Sequence, residues 1–132
     1  MMSQCYCTSL RNAARRVTAL YDEAIAPVGV NIAQFALLRS IARGEPVALT
    51  ELAKRTDLDR STVGRNIRVL EQMGLVAMSR GKDQREVSVS LLDRGRRTLD
   101  EGAPLWDAVQ ARIEARMGTA AAHALRAALH NL

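Results

Sequence analysis

Aromatic residues are scarce in this chain of 132 residues, which has one Trp, one Phe and two Tyr. A β-sandwich or β-barrel draws on aromatic and β-branched side chains, whereas a core of Leu, Val, Ile, Ala and Met favours helices. Because 48% of the residues are hydrophobic, the chain can form the core of the one domain that its length predicts. The composition therefore favours a single, mainly helical domain.

Long hydrophobic runs are also missing. None approaches the roughly 20 residues that a transmembrane helix needs, and residues 1–8 lack the basic and apolar regions of a signal peptide. We therefore expect a cytoplasmic protein with no membrane partner. In that compartment its two cysteines, Cys5 and Cys7, would normally be reduced.

Acidic residues are in the minority, with 14 Asp and Glu against 19 Lys and Arg, and the net charge is +5. A basic balance is typical of proteins that bind nucleic acid, a membrane surface or acidic proteins. The positions of the basic residues along the chain decide between these partners.

The spacing of apolar residues predicts helices in most of the chain. Thr50 and Asp59 are the predicted N-caps of two short helices in the middle, and Asp93 is the predicted cap of a long helix. Pro104 should kink that long helix or split it in two. The predicted helices cover about residues 8–26, 32–43, 51–55, 60–73, 93–117 and 120–131.

From Leu75 onward the apolar period changes to two, in two short runs on either side of a polar loop that contains glycine. This pattern predicts a β-hairpin. Two short helices joined by a tight turn, followed by a hairpin, are typical of a winged helix-turn-helix, in which the second helix enters the DNA major groove.

The helix predicted at residues 60–73 has two contrasting faces. Val63, Ile67 and Leu70 form the predicted buried stripe, whereas the opposite face has no acidic residue before Glu71 and includes Gly64, which permits close backbone approach. Arg can pair with guanine and Asn with adenine, and hydroxyls near a helix start suit phosphate. The predicted DNA contacts on this helix are Arg60, Ser61, Thr62, Arg65, Asn66 and Arg68.

The hairpin loop adds Arg80, Lys82 and Arg85, which would reach the adjacent minor groove or backbone. Asp83 is expected to orient Arg85 or a helix arginine, because phosphate would repel it. A single arginine of this kind is usually only a solvated surface residue. Several donors on one helix face, followed by a basic hairpin, favour a DNA-binding surface instead.

Three stretches of the sequence resemble the MarR family of transcriptional regulators. These are the segment from Leu49 to Arg65, the run LEQMGLV that follows at residues 70–76, and the pair Asp83 and Arg85, which matches the family's Asp-x-Arg wing signature. The runs QFALL at 34–38 and LLDRG at 91–95 resemble its flanking helices, so the resemblance spans about residues 8–117. One departure is Leu92, where the family usually has Thr before the fifth helix.

The resemblance implies one MarR-like domain over residues 1–132, mainly α with a small β-hairpin wing. The winged helix-turn-helix would occupy residues 31–92, and dimerisation helices would occupy 8–30 and 93–132. It also implies an obligate homodimer that places two recognition helices on successive major grooves of double-stranded DNA. A small-molecule or redox input is implied near the junction of the dimer helices and the DNA-binding lobe.

Tyr21, Phe35 and Trp106 are candidate lining for an apolar effector pocket, although ordinary core packing is the better explanation of each. Cys5 and Cys7 are candidate redox sensors, because a thiol near a helix N-terminus can have a lowered pKa. A C-x-C pair is strained as an intrachain disulfide, so an interchain bond or a metal would be the functional alternative to simple packing.

The spacing of His123 and His130 matches no standard zinc set, so neither a metal nor another cofactor is expected.

The sequence thus predicts a DNA-binding transcriptional regulator, a repressor that acts as a homodimer on a pseudo-palindromic operator and is released by a small ligand or by oxidation. The alternative is a winged-helix adaptor that binds protein, which the basic helix face disfavours. An enzyme is not expected, because no Ser-His-Asp set, phosphate loop or pair of catalytic carboxylates stands out.

Overall fold

The computed structural model describes residues 4–81 and 86–132 and confirms a mainly helical chain with a small β-wing. A short 3-10 turn, Ala26–Val28, joins the first two helices. Within the described residues the elements in order are α1 (Tyr6–Ile25), α2 (Ile32–Ala42), β1 (Val47–Ala48), α3 (Leu49–Thr56), α4 (Arg60–Gln72), β2 (Val76–Arg80), β3 (Val87–Leu91), α5 (Asp93–Met117) and α6 (Thr119–His130).

Two helices begin with side-chain caps. At α2 the side-chain Oδ1 of Asn31 accepts a hydrogen bond from the Gln34 backbone N–H at 2.8 Å, and the Asn31 backbone N–H donates to Gln34 Oε1 at 3.0 Å. This reciprocal pair is a capping box. At α4 the predicted cap is confirmed, because the Asp59 carboxylate accepts from the Thr62 N–H at 2.8 Å.

Two other predicted caps were wrong. Helix α3 begins one residue before Thr50, because the extended strand β1 ends at Ala48 and the helix follows it directly. Asp93 is the first residue inside α5, and its N-cap is Leu92, which has no hydroxyl to accept a hydrogen bond. Both helices therefore start without a side-chain cap, and tertiary packing has to hold their first turns.

The three strands form one antiparallel sheet in the order β1-β3-β2. Val89 of the central strand pairs with Val47 on one side and with Met78 on the other. The predicted hairpin β2-β3 is confirmed. Strand β1 was not predicted, since two residues are too few to show a period.

The core lies between α2, α3, α4 and the sheet. The predicted stripe of Val63, Ile67 and Leu70 is confirmed, since all three side chains are fully buried. Phe35 and Leu38 of α2 lie on the other side of this core. Helix α4 is therefore held by one apolar face, which leaves the other face available to solvent.

Helix α5 crosses the core at two glycines. A Cβ built on Gly95 would lie 2.2 Å from the carbonyl oxygen of Leu75, and one on Gly102 would lie 2.7 Å from Cε2 of Phe35. The backbone of α5 therefore packs directly against the Leu75 backbone and the Phe35 ring of α2. Pro104 does not split α5, which runs unbroken through all 25 residues. The proline is exposed, where the loss of one backbone hydrogen bond is tolerated most easily.

Across the part of the chain described here, no single helix is long and apolar enough to cross a membrane. The stretches Tyr6–Val28 and Ile32–Ala42 meet that test only as a pair, and a 70° bend separates them.

Candidate nucleic-acid interface

A groove of about 570 Å³ lies between α4 and the hairpin strands β2 and β3. Part of its lining is apolar, from Leu49, Met78 and Val87. The predicted DNA-contacting residues that line it are Arg60, Ser61, Arg65, Arg68 and Arg80. The fold thus brings basic residues of the helix and of the wing strand around one groove, as a DNA-binding surface requires. Thr62 and Asn66 lie on α4 outside this lining.

Gly64 lies in the groove wall but is buried, whereas the sequence placed it on the open face of the helix. Nη2 of Arg68 lies 3.9 Å from the position that a Cβ on Gly64 would take, so the Arg68 side chain lies beside the backbone at this point.

The first turn of α4 carries a hydrogen-bond network around the Asp59 carboxylate. Ser61 Oγ donates to Oδ1 at 2.7 Å, and Thr62 Oγ1 donates to Oδ2 at 3.1 Å. Nη2 of Arg65 in turn donates to Thr62 Oγ1 at 3.3 Å. The bond from the Thr62 backbone N–H is the strongest of several that lower the pKa of Asp59 from 3.8 to about 2.

This network gives Ser61 and Thr62 partners that the sequence analysis missed. Each hydroxyl has one hydrogen, and in the structure that hydrogen is directed to Asp59 rather than to solvent. The signal was present, since an N-cap Asp followed by Ser and Thr two and three residues later is suited to local side-chain hydrogen bonds.

Hydrogen bonds join the hairpin β2-β3 to α4 and also join its two strands to each other. The backbone N–H of Met78 donates to Oε2 of Glu71 at 3.3 Å, and the hydroxyls of Ser79 and Ser88 lie 3.2 Å apart. The hairpin therefore has a defined position beside the helix. Three predicted loop residues, Lys82, Asp83 and Arg85, lie outside the described residues.

The structure separates the three aromatic residues predicted to line an effector pocket. Phe35 and Trp106 line a cavity of about 400 Å³ between α2 and α5, together with Arg39, whose guanidinium carbon is 4.2 Å from the Trp106 ring centroid. Tyr21 does not line this cavity. Burial raises the pKa of Tyr21, which also feels the charges of Arg126 and Glu114.

Both cysteines are exposed at the start of α1, with Cys5 as its N-cap. Hydrogen bonds to the Cys5 sulfur, above all from the Thr8 backbone N–H, lower the pKa of that thiol. A depressed pKa raises the thiolate fraction, and the thiolate is the reactive form. Within the described residues, no group of three or more His, Cys, Asp and Glu is placed to hold a metal ion.

These features define a winged helix-turn-helix DNA-binding protein, and comparison with known proteins identifies the family. The sequence profile of the MarR family matches residues 28–86. The chain belongs to the MarR family of transcriptional regulators, whose members are not enzymes. None of the curated proteins compared with the chain matches it significantly.

Solved structures agree along nearly the whole chain. The regulator MosR of M. tuberculosis in complex with DNA is 36% identical, with a TM-score of 0.82 over 87% of this chain and 84% of that one. A second MosR structure is 32% identical, with a TM-score of 0.84 over 99% and 94%. BpsR of Bordetella bronchiseptica, whose DNA binding is regulated by 6-hydroxynicotinic acid, is 25% identical, with a TM-score of 0.88 over 99% and 95%.

Proposed function

We propose that this chain is a homodimeric repressor that binds a pseudo-palindromic operator in double-stranded DNA with sequence specificity. The observation that carries the proposal is the groove between α4 and the wing, where Arg60, Arg65, Arg68 and Arg80 meet. An exposed helix face with this many guanidinium donors matches the hydrogen-bond acceptors of the major groove.

The proposed contacts divide by position. Arg65, Asn66 and Arg68, one to two turns into α4, read base edges. The other basic residues would bind DNA phosphate or the minor groove and supply affinity without specificity. These are Arg60 and Arg80, together with Lys82 and Arg85 of the loop, where Asp83 orients its neighbours.

Dimerisation is proposed through the helices within 8–30 and 93–132. Helices α1 and α6 leave large apolar side chains exposed in the single chain, and large exposed apolar surfaces mark interaction sites. They are Leu10, Val17, Leu125 and Leu129, each between 37% and 47% exposed. A light-scattering mass of one chain at micromolar concentration would contradict the dimer.

Two inputs are proposed for release from DNA. A small molecule would bind in the cavity lined by Phe35, Arg39 and Trp106, which lies between the lobe helix α2 and α5. Oxidation would instead act at Cys5 and Cys7, at the start of a proposed dimer helix. A disulfide to the partner chain there would shift α1, and with it the spacing of the two recognition helices.

The test is selection of DNA from a random library by the wild-type protein and by Arg65→Ala. We expect the wild type to enrich a sequence with a dyad, with half-site centres about one helical turn apart. Arg65→Ala should lose discrimination at one position of each half-site, worth about 1–3 kcal/mol. Arg97→Ala is the matched control, because Arg97 is exposed on α5 and does not line the groove.

Failure of the wild type to enrich any sequence would contradict the proposal and favour the protein-binding adaptor. Enrichment of a single half-site with no dyad would contradict the dimeric mode of binding.

A further inference from the structure

The guanidinium of Arg65 is held by a relay of hydrogen bonds that starts at the helix cap. Arg65 donates to the Thr62 hydroxyl at 3.3 Å, and that hydroxyl donates to the Asp59 carboxylate at 3.1 Å. The three residues lie three apart on one face of the first two turns, where i and i+3 side chains meet. The Arg65 charge also acts on Asp59 directly, as one of the influences on the pKa of that carboxyl.

The direction of each bond follows from the chemistry of the groups. Arg has only donors and an ionised Asp only acceptors, whereas Thr has one hydrogen and two lone pairs. Asp59 is ionised at neutral pH, since its pKa is about 2. The Thr62 hydrogen therefore goes to Asp59, and a Thr62 lone pair faces Arg65.

A long arginine side chain on a helix surface samples many rotamers, and immobilising it on binding costs free energy. A partner that holds the guanidinium before DNA arrives reduces that cost. A phosphate contact by Thr62 would require its hydrogen, which Asp59 already accepts.

From this geometry we infer that Asp59 and Thr62 are positioning residues, which hold the Arg65 guanidinium ready for base reading and do not themselves contact phosphate. The inference rests on the proposed function, because it names the residues that position Arg65 for one of the proposed base contacts.

The test compares Thr62→Val, which keeps the shape but removes the hydroxyl, with Thr62→Ser, which keeps the hydroxyl. The probes are the duplex that the wild type enriches most, its single-base-pair variants and an unrelated duplex. Thr62→Val should lose about twofold to tenfold discrimination, the cost of immobilising one side chain. The loss should fall at the base pair that Arg65→Ala relaxes, while the salt slope and binding to the unrelated duplex stay at wild-type values. Thr62→Ser should retain the discrimination.

Two further variants test whether Thr62 and Asp59 act through Arg65. Thr62→Val added to Arg65→Ala should have no additional effect on discrimination, since the residue it positions is gone. Asp59→Asn keeps a capping oxygen but removes the charge, and should relax the same base pair. Thermal unfolding of each variant shows whether α4 is intact.

Equal weakening of Thr62→Val on every duplex, with a lower salt slope, would show a phosphate contact and overturn the inference. Wild-type discrimination by a folded Thr62→Val and a folded Asp59→Asn would overturn it as well. Wild-type discrimination by Arg65→Ala would instead overturn the proposed recognition face, so the two failures are distinguishable.

Discussion

The carboxylate of Glu45 binds the guanidinium of Arg96, with Oε1 and Nη2 3.0 Å apart. The same Oε1 accepts the backbone N–H of Leu91 at 3.0 Å. One oxygen thus joins the loop after α2, the end of strand β3 and the first turn of α5. Helix α5 starts without a side-chain cap, and this contact joins its first turn to the loop and the strand.

Removing this carboxylate should destabilise the fold. Glu45→Ala leaves the buried Leu91 N–H without its acceptor, which should lower the free energy of unfolding by about 1–3 kcal/mol. Glu45→Gln keeps an acceptor oxygen and should lose less. Urea unfolding at one fixed protein concentration measures both, because the apparent stability of the proposed dimer would depend on concentration. Equal stability of the two variants would show that the Leu91 contact contributes nothing.

Bulk at Gly95 should be strongly destabilising. The atom that an added Cβ would meet is the Leu75 carbonyl oxygen, at 2.2 Å, and backbone cannot rotate away as a side chain can. We expect Gly95→Ala to lower the free energy of unfolding by roughly 1–3 kcal/mol, as overpacking does, in spite of the better helix propensity of alanine. Thermal unfolding measures the change. A variant as stable as the wild type would contradict the tight approach of α5.

Gly64→Ala is the matched glycine substitution and should have the opposite effect on stability. The added Cβ meets only Arg68 Nη2, at 3.9 Å, so the helix should gain up to about 1 kcal/mol. DNA binding should nevertheless weaken, because the methyl group projects into the groove beside the Arg68 guanidinium and takes space that DNA would occupy. Thermal unfolding tests the expected gain in stability, and a binding titration tests the expected loss of DNA affinity. Wild-type affinity in a stabilised variant would remove Gly64 from the interface.

Acid should affect the α4 cap only at low pH. The pKa of Asp59 is depressed to about 2 in the folded chain, against an ordinary value of 3.8. Its contribution to stability is therefore fully present above pH 3.8 and is lost as the pH falls toward 2. An NMR titration of the Asp59 carboxyl carbon should give a midpoint near 2. A midpoint near 3.8 would mean that the hydrogen bonds from Ser61 and Thr62 do not form in solution.

The two thiols should differ in reactivity. Since hydrogen bonds lower the pKa of Cys5, it should be alkylated by iodoacetamide at neutral pH faster than Cys7. Peptide mass spectrometry after short exposures gives the two rates, and Cys7→Ser provides the matched single-thiol control. For the proposed redox input, peroxide should lower DNA affinity in the wild type and not in the Cys5→Ser/Cys7→Ser variant. Equal affinity of oxidised and reduced wild type would leave only the small-molecule input.

The sequence predicts the features that depend on residues close together in the chain. The buried stripe of α4, the Asp59 cap and the hairpin follow from periods and residue types within a few positions. Contacts between distant positions were out of reach. Glu45 and Arg96 are far apart in the chain, and nothing near Gly102 indicates that the Phe35 ring will lie against it.

The candidate site divides in the same way. Its arginines recur at helical spacing, so the sequence predicts them, and in the structure Arg60, Arg65 and Arg68 line one groove with Arg80. Tyr21 was grouped with Phe35 and Trp106 by residue type alone, and packing placed it elsewhere. The position of Ser61 and Thr62 at the helix start predicts hydroxyls directed to phosphate, but the carboxylate of the N-cap Asp59 accepts from both.

The two glycines of α5 have a mechanical consequence. Gly95 and Gly102 are seven residues apart, which places them on one side of the helix about 10 Å from each other. Contacts at two such points resist both translation of α5 along its axis and rotation of α5 about that axis. The 15 residues that follow Gly102, up to Met117, continue for about 22 Å. A tilt of α5 by 5° at the glycine contacts would move its C-terminal end by about 2 Å. In the proposed dimer, altered bulk at Gly102 would thus change which half-site separation is accepted, and leave unchanged which bases are read.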